Sequence, residues 1–288
     1  LFRLRLQIIH LFLKSQAVRG ARDWALFLCL VAFVPTAHAA FEKDLCGPRV
    51  TGMGAAGVAL PGDAWCPSRN PALIASEFSG VGLAWQRLFD LPELTQLHLV
   101  GGFSLHDYTA AIDVHQFGGE LYSETVAALS LARRLSSFFS AGGQISVNQV
   151  AIRHYGDGAA FGAQVGICVQ PVPEFQAAAS WRNFPQARLS HWNARMPEAL
   201  QLGVALRLPK GAFVADIVEE SRFPTEYRFG AEAPVLPALT LRVGTRLEPV
   251  RPSIGFTVQV SRWRFHYAGD LHPELGPSHQ LGLEASWR

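Results

Sequence analysis

The chain has 288 residues, with 25 basic and 23 acidic side chains, and 49% of its residues are hydrophobic. Charges so nearly balanced leave no basic patch to argue for nucleic acid, and no apolar run approaches the ~20 residues that a helix needs to cross a bilayer. A membrane protein of this composition has to cross by strands.

Residues 1–39 carry five basic side chains (Arg3, Arg5, Lys14, Arg19, Arg22) and one acid, Asp23. An apolar run from Trp24 to Val34 follows, and then Ala37-His38-Ala39, a small-residue cleavage pattern. Together these read as a secretory signal peptide, because the run is roughly half the length of a bilayer-spanning helix. The alternative is a buried N-terminal helix ended by Pro35. Cleavage after Ala39 leaves 20 basic and 22 acidic side chains, a formal charge of −2, so the basic character belongs to the leader. Cys29 leaves with it. An oxidising compartment leaves open a disulfide between Cys46 and Cys66, with Cys168 as a packed thiol in an apolar run.

Residues 40–78 form the next unit, expected to lie inside a barrel lumen. Gly52-Met53-Gly54-Ala55-Ala56-Gly57 matches the dinucleotide fingerprint G-x-G-x-x-G, and Glu77 lies where a ribose-binding acid would be. The context fails, since no strand precedes Gly52 and Pro61-Gly62 would cut the required helix. Small residues that let backbone approach backbone are the better account. Asn70-Pro71-Ala72-Leu73-Ile74-Ala75 predicts a short helix with Asn70 as N-cap and Pro71 at its first position, the alternative being a surface turn.

From Phe78 onward the pattern is of short strands separated by Gly, Pro, Asp and Asn. Ile112 and Val114 alternate with Asp113 and His115. Ile145 and Val147 fall on one parity and Val150 and Ile152 on the other, which predicts a bulge or tight turn near Asn148-Gln149. Period two is strict later: Leu200, Leu202, Val204, Leu206 and Leu208 oppose Gln201, Gly203, Ala205 and Arg207. Leu239, Leu241 and Val243 oppose Thr240, Arg242 and Gly244, and a hairpin about Leu236-Pro237-Ala238 would set Glu232 opposite Arg242. Ile254, Phe256 and Val258 oppose Gly255, Thr257 and Gln259, and Leu281, Leu283 and Ala285 oppose Gln280, Gly282 and Glu284. About fourteen strands of roughly ten residues fit, the length of a tilted membrane-crossing strand.

A lipocalin-like barrel or a β-sandwich shares this alternation. Strand number, an export leader, and Trp85, Trp181, Trp192, Trp263 and Trp287 near strand ends favour an all-β transmembrane antiparallel barrel over residues 79–288. Its polar face carries Glu232, Arg242, Arg246, Glu248, Arg264 and Glu284. These read either as a paired network filling the lumen or, through Glu232, Arg242, Arg246 and Glu284, as a patch for a carboxylate or lipid headgroup. No G-x-S-x-G, H-E-x-x-H, P-loop, C-x-x-C or EF-hand pattern occurs, so no catalytic residue, cofactor or metal is expected. His266 and His279 lack ligand spacing. Ser278 beside His279 is the basis of an enzymatic alternative, a lipid-modifying deacylase.

The run Arg49 to Leu60, then Gly62-Asp63-Ala64 and Asn70 to Ala75, resembles the opening of the FadL and PorV/PorQ group of outer-membrane barrels. Arg228 to Glu232, Leu241 to Gly244, Phe265 to Ala268 and Leu275 to Leu283 resemble that group's closing strands. The chain ends in Trp287-Arg288 rather than on a terminal Phe, and the barrel is short for a FadL-type transporter, closer to the PorV-like members. The resemblance implies a non-enzymatic barrel in the bacterial outer membrane, surrounded by its lipid. It implies a plug motif of Gly52, Gly54, Gly57, Asp63, Asn70 and Pro71. The role would be transport of a hydrophobic small molecule or service to a secretion-apparatus protein, with a purely structural barrel as a third reading.

Overall fold

A computed structural model describes residues 41, 46–76, 79–191 and 194–287. The expected leader, residues 1–39, lies outside the described residues, as does Trp192. The alternating stretches become fourteen antiparallel strands: β1 Gly80–Arg87, β2 Thr95–Leu105, β3 Tyr108–Gly118, β4 Tyr122–Arg134, β5 Phe139–Ile152, β6 Gly156–Val172 and β7 Phe175–Arg182. The second half is β8 Ala199–Leu208, β9 Gly211–Glu220, β10 Glu226–Leu236, β11 Leu239–Leu247, β12 Arg251–Val260, β13 Trp263–His272 and β14 Gly276–Ser286. Each strand pairs with its sequence neighbours, and β1 closes on β14 from Gly80↔Ser286 to Arg87↔His279, so the sheet closes into a barrel.

The faces decide between the three architectures that alternation allows. Ile254 is 61% exposed and its neighbours Phe256, Leu241, Val243 and Leu281 also face outward, whereas Glu284 is fully buried with Gln280, Ser253 and Thr257. Apolar outside and polar inside is the reverse of a lipocalin and the arrangement of a membrane barrel. One end carries the first and last strand termini and two-residue turns such as Pro173-Glu174, Pro209-Lys210 and Pro237-Ala238. The opposite end, called the loop end below, carries the longer connections, of which residues 183–198 are the longest. Trp85 and Trp181 fall toward the loop end and Trp263 and Trp287 at the other, one aromatic belt for each interface.

The bulge expected near Asn148-Gln149 is absent. β5 pairs without interruption from Phe139 to Ile152 with β6, and from Ser140 to Ile152 with β4. The change of parity arises because Val150 turns inward, where it packs with Ala160, Leu189 and Met196 and against partly buried Ile152. The strand is regular and the lumen is locally apolar beneath the 183–198 loop. There β6 outruns β7, pairing with it only from Gln164 onward. Its free upper part instead meets the loop, with the Ser190 N–H donating to the Ala159 carbonyl at 3.0 Å and the Asn183 N–H to Ala163 at 2.7 Å.

Inside lies the N-terminal segment: helix α1, Pro48–Thr51, helix α2, Cys66–Arg69, and a 3-10 helix, Pro71–Ser76. Val50, Met53, Leu60, Leu73 and Ile74 pack against inward-facing wall alanines including Ala111, Ala132, Ala178, Ala205 and Ala212. Burial of each large apolar side chain contributes about 1.5–3 kcal/mol. Asn70 caps the 3-10 helix, its Oδ1 accepting from the Ala72 N–H at 3.0 Å with Pro71 at the first position.

Cys46 and Cys66 form no disulfide. Cys66 opens α2 within the apolar packing of the plug, while the Cys46 carbonyl is held by Gln280 of the wall at 3.0 Å. Burial pushes the Cys66 thiol up, suppressing the thiolate that disulfide exchange requires.

Candidate functional site

The seat of the plug is a closed ring of polar contacts. Within the plug, Arg69 makes a two-pronged pair with Asp63, Nη1 to Oδ1 at 3.0 Å and Nη2 to Oδ2 at 2.7 Å, and Arg49 approaches the same carboxylate at 3.7 Å. Arg49 also donates to both oxygens of Glu232 on β10, and Arg242 Nε on β11 donates to Glu232 Oε2 at 2.9 Å. Glu232 and Arg242 are opposed across the hairpin, as the alternation implied. Arg242 Nη1 donates to Thr257 Oγ1, which lies 2.7 Å from His266 Nδ1, while His266 Nε2 is 3.3 Å from Glu284 Oε2. Arg264 pairs with Glu284 and donates at 2.8 Å to the carbonyl of Gly62, which returns the ring to the plug.

Charges buried this far from water persist only when paired and hydrogen-bonded. Burial alone would raise the Asp63 carboxyl, but Arg69 and Arg49 outweigh it and hold the group well below the usual carboxylate range. The indole of Trp65 stands edge-on to the His266 ring at 5.7 Å between centroids, closing the apolar side of the ring.

Backbone contacts complete the seat. Asp216 on β9 accepts from the N–H groups of Gly57 at 2.7 Å and Val58 at 3.0 Å, and from Gln201 Nε2 at 2.9 Å. Arg228 donates to the Ala55 carbonyl at 3.3 Å, and Ser253 Oγ accepts from the Gly54 N–H at 2.7 Å. On the other side Gln164 donates to the Arg69 carbonyl at 2.8 Å, and Asn70 Nδ2 to Val58 at 3.1 Å and Ile167 at 3.2 Å. Ser68 bonds Asp113, which also holds His98 at 2.9 Å. Ser68 and the carboxylate meet the same nitrogen of His98, so the three do not form a nucleophile relay, which needs base and orienting acid on opposite ring nitrogens.

Two glycines show how close the approach is. Gly54 has φ +67°, and a Cβ there would lie 2.5 Å from the Thr245 carbonyl oxygen. On the wall, a Cβ on Gly244 would lie 2.1 Å from the Met53 carbonyl carbon. Nothing larger fits at either position.

The residues expected from sequence are therefore divided. Gly52, Gly54, Gly57, Asp63, Asn70 and Pro71 all lie in the plug within the lumen. Glu232, Arg242 and Glu284 join the ring, but Arg246 stands apart at the loop end, lining a cavity of about 420 Å³. Ser278 and His279 point to opposite faces of β14: the Ser278 hydroxyl accepts from the Phe89 N–H inside at 3.0 Å, while His279 meets the Tyr267 hydroxyl at 2.9 Å. They cannot act as a pair. Sequence reasoning missed Asp216, Arg228 and Gln164. Their one signal is a polar side chain on the inward parity of a strand.

A second cavity, of about 50 Å³, lies beneath the 183–198 loop and reaches the plug at Ser68; its walls mix apolar side chains such as Phe117, Val126 and Met196 with polar ones such as Glu124, Asn148 and Arg182.

No family model and no curated protein matches the sequence. Solved structures do match the fold. The toluene transporter TbuX of Ralstonia pickettii aligns with a TM-score of 0.63 at 12% identity, over 86% of this chain and 100% of its own. The barrel has the fold of the FadL-type channels. The toluene transporter TodX of Pseudomonas putida aligns at 0.65 and 12% identity, over 85% of this chain and 98% of its own. A FadL homologue of Pseudomonas aeruginosa aligns at 0.60 and 10% identity, over 84% and 98%. The FadL-type fold thus extends over plug and barrel together.

Proposed function

We propose that this chain is an outer-membrane channel that passes small hydrophobic molecules inward past its plug. The short-turn end would face the periplasm and the loop end the cell exterior, as in other outer-membrane barrels. The carrying observation is the interruption of the wall above Gln164, where β6 leaves β7 and the apolar cluster of Val150, Ala160, Leu189 and Met196 shares Met196 with a small cavity of mixed polar and apolar lining that reaches the plug at Ser68. A hydrophobic solute favours that route over the charged seat, because desolvating paired carboxylates and guanidiniums for it has no return. The structural likeness to toluene transporters supports the same reading.

The test is uptake of labelled toluene by cells lacking their own hydrocarbon channels. Expression of the wild-type barrel should raise the rate several-fold, and Met196→Trp should reduce it while the barrel remains folded. A rate equal to that of cells without the barrel would refute the reading.

A second reading, service to a secretion apparatus as in PorV-like barrels, is favoured by the closeness of plug and wall at Gly244 and Met53. A lumen filled so tightly suits a platform. A protein recovered at one-to-one stoichiometry from outer membranes in mild detergent, together with no toluene uptake, would select it.

A further inference from the structure

The charges of the lumen fall into two classes. Those of the ring at the seat, Arg49, Arg69, Arg242, Arg264, Asp63, Glu232 and Glu284, are each in an ion pair. Around the 420 Å³ cavity at the loop end three charged side chains each leave one atom unsatisfied: the Nε atoms of Arg246 and Arg251 and Oδ1 of Asp270 are shielded from solvent and have no hydrogen-bond partner among the described residues. Asp270 is 94% buried, and its Oδ1 has no hydrogen-bond partner among the described residues. A buried polar atom left without a partner costs stability, so the arrangement is not one that stability alone maintains.

Register fixes the geometry. Arg246 on β11 is directly opposite Arg251 on β12, a like-charge pair that opposes strand pairing. Asp270 on β13 is opposite Ser253, two residues from Arg251 on the same face, hence on the diagonal at roughly 7–8 Å. Two guanidiniums side by side make a fork for an oxyanion, and a carboxylate one diagonal step away makes an acceptor for a cation. The apolar remainder of the wall is Leu88, Phe89, Phe223 and Pro249, with the Phe89 ring held edge-on against His272 at 5.6 Å.

We propose that this cavity binds a small zwitterion bearing an apolar group, with its carboxylate across Arg246 and Arg251, its ammonium on Asp270, and its hydrocarbon against Phe89 and Phe223. The volume lies in the ~300–1,000 Å³ range of small-molecule sites. Glu220, Glu226 and Glu248 line the same cavity with Arg228, so the site carries charges of both signs and takes a zwitterion better than an anion alone, which would leave Asp270 unpaired. The assignment does not depend on what passes beneath the 183–198 loop.

The experiment is calorimetric titration of the purified full-length barrel in detergent with four probes of one shape: phenylalanine, 3-phenylpropionate, phenethylamine and toluene. Phenylalanine should bind at least tenfold more tightly than either singly charged probe. Arg251→Gln should weaken phenylalanine and phenylpropionate together by about tenfold, a loss of about 1.4 kcal/mol. Asp270→Asn should abolish the preference of phenylalanine over phenylpropionate while leaving the latter bound. Folding of each variant is checked by its heat-dependent electrophoretic shift, and Arg251→Lys should restore part of the loss. No binding of phenylalanine to the folded wild-type barrel, or equal binding of all four probes, would overturn the assignment. Either result would leave toluene uptake, and with it the transport reading, standing.

Discussion

From β10 to β14 the wall meets the plug with charges, Glu232, Arg242, Arg264 and Glu284, whereas from β5 to β7 it offers Gln164, Ser140 and backbone carbonyls. The first half fixes the plug, because withdrawing any partner leaves a buried charge uncompensated. The second half forms contacts that are individually replaceable by water. A barrel that must hold its plug in register and still let a molecule reach it gains from keeping the two tasks on different walls.

Removal of the shared carboxylate tests that division most severely. Glu232→Ala removes the carboxylate that Arg49 and Arg242 share, leaving Arg242 with Thr257 and Arg49 with Asp63 and the Pro61 carbonyl, and should lower stability by about 3 kcal/mol, read as a lower midpoint in urea unfolding and as protease cutting of the plug in intact membranes. Asp216→Ala removes the acceptor for Gly57 and Val58 and should lower stability by about 1.5–3 kcal/mol in the same measurement. Gln164→Ala, on the neutral wall, should do so by only about 1 kcal/mol. If Gln164→Ala unfolds as early as Glu232→Ala, the contrast between the walls is wrong.

The smallest expected effect is that of pH. The Asp63 carboxyl is held below its ordinary range, so its contribution is complete above the unfolded value and is lost as pH falls through the folded one. Plug protection against protease should therefore stay flat from about pH 8 to about pH 5 and weaken only below about pH 4. Loss of protection already between about pH 8 and about pH 5 would show that a group other than Asp63 controls the seat.

Much of the barrel was legible because each strand reports its own faces: Leu241, Val243 and Ile254 outward, Arg242 and Ser253 inward. Even a tertiary contact, Glu232 with Arg242, followed from hairpin register alone, since only two residues separate β10 from β11. The readings that failed needed partners distant in sequence. Val150 looked like a bulge because nothing local says that Leu189 and Met196 cover it. Cys46 and Cys66 looked bridgeable because spacing carries no direction. Asp216 gave no sign of its role, as Gly57 lies 159 residues earlier. The patch of four charged residues was visible, but its division into seat and cavity depends on how far along each strand the plug reaches.

The chain order of the seat has a consequence for assembly. The plug precedes every strand, yet the wall residues of the polar ring are on β10 to β14, and Glu284 belongs to the strand that closes against β1. The ring cannot be complete until the last hairpin is in place, since the contacts it needs span most of the chain. A barrel that closed with the plug outside would trap Glu232, Arg242 and Glu284 facing one another without Arg49 and the Gly62 carbonyl. The seat is thus the last part of the interior that the chain can finish, completed only by the strand that also seals the sheet.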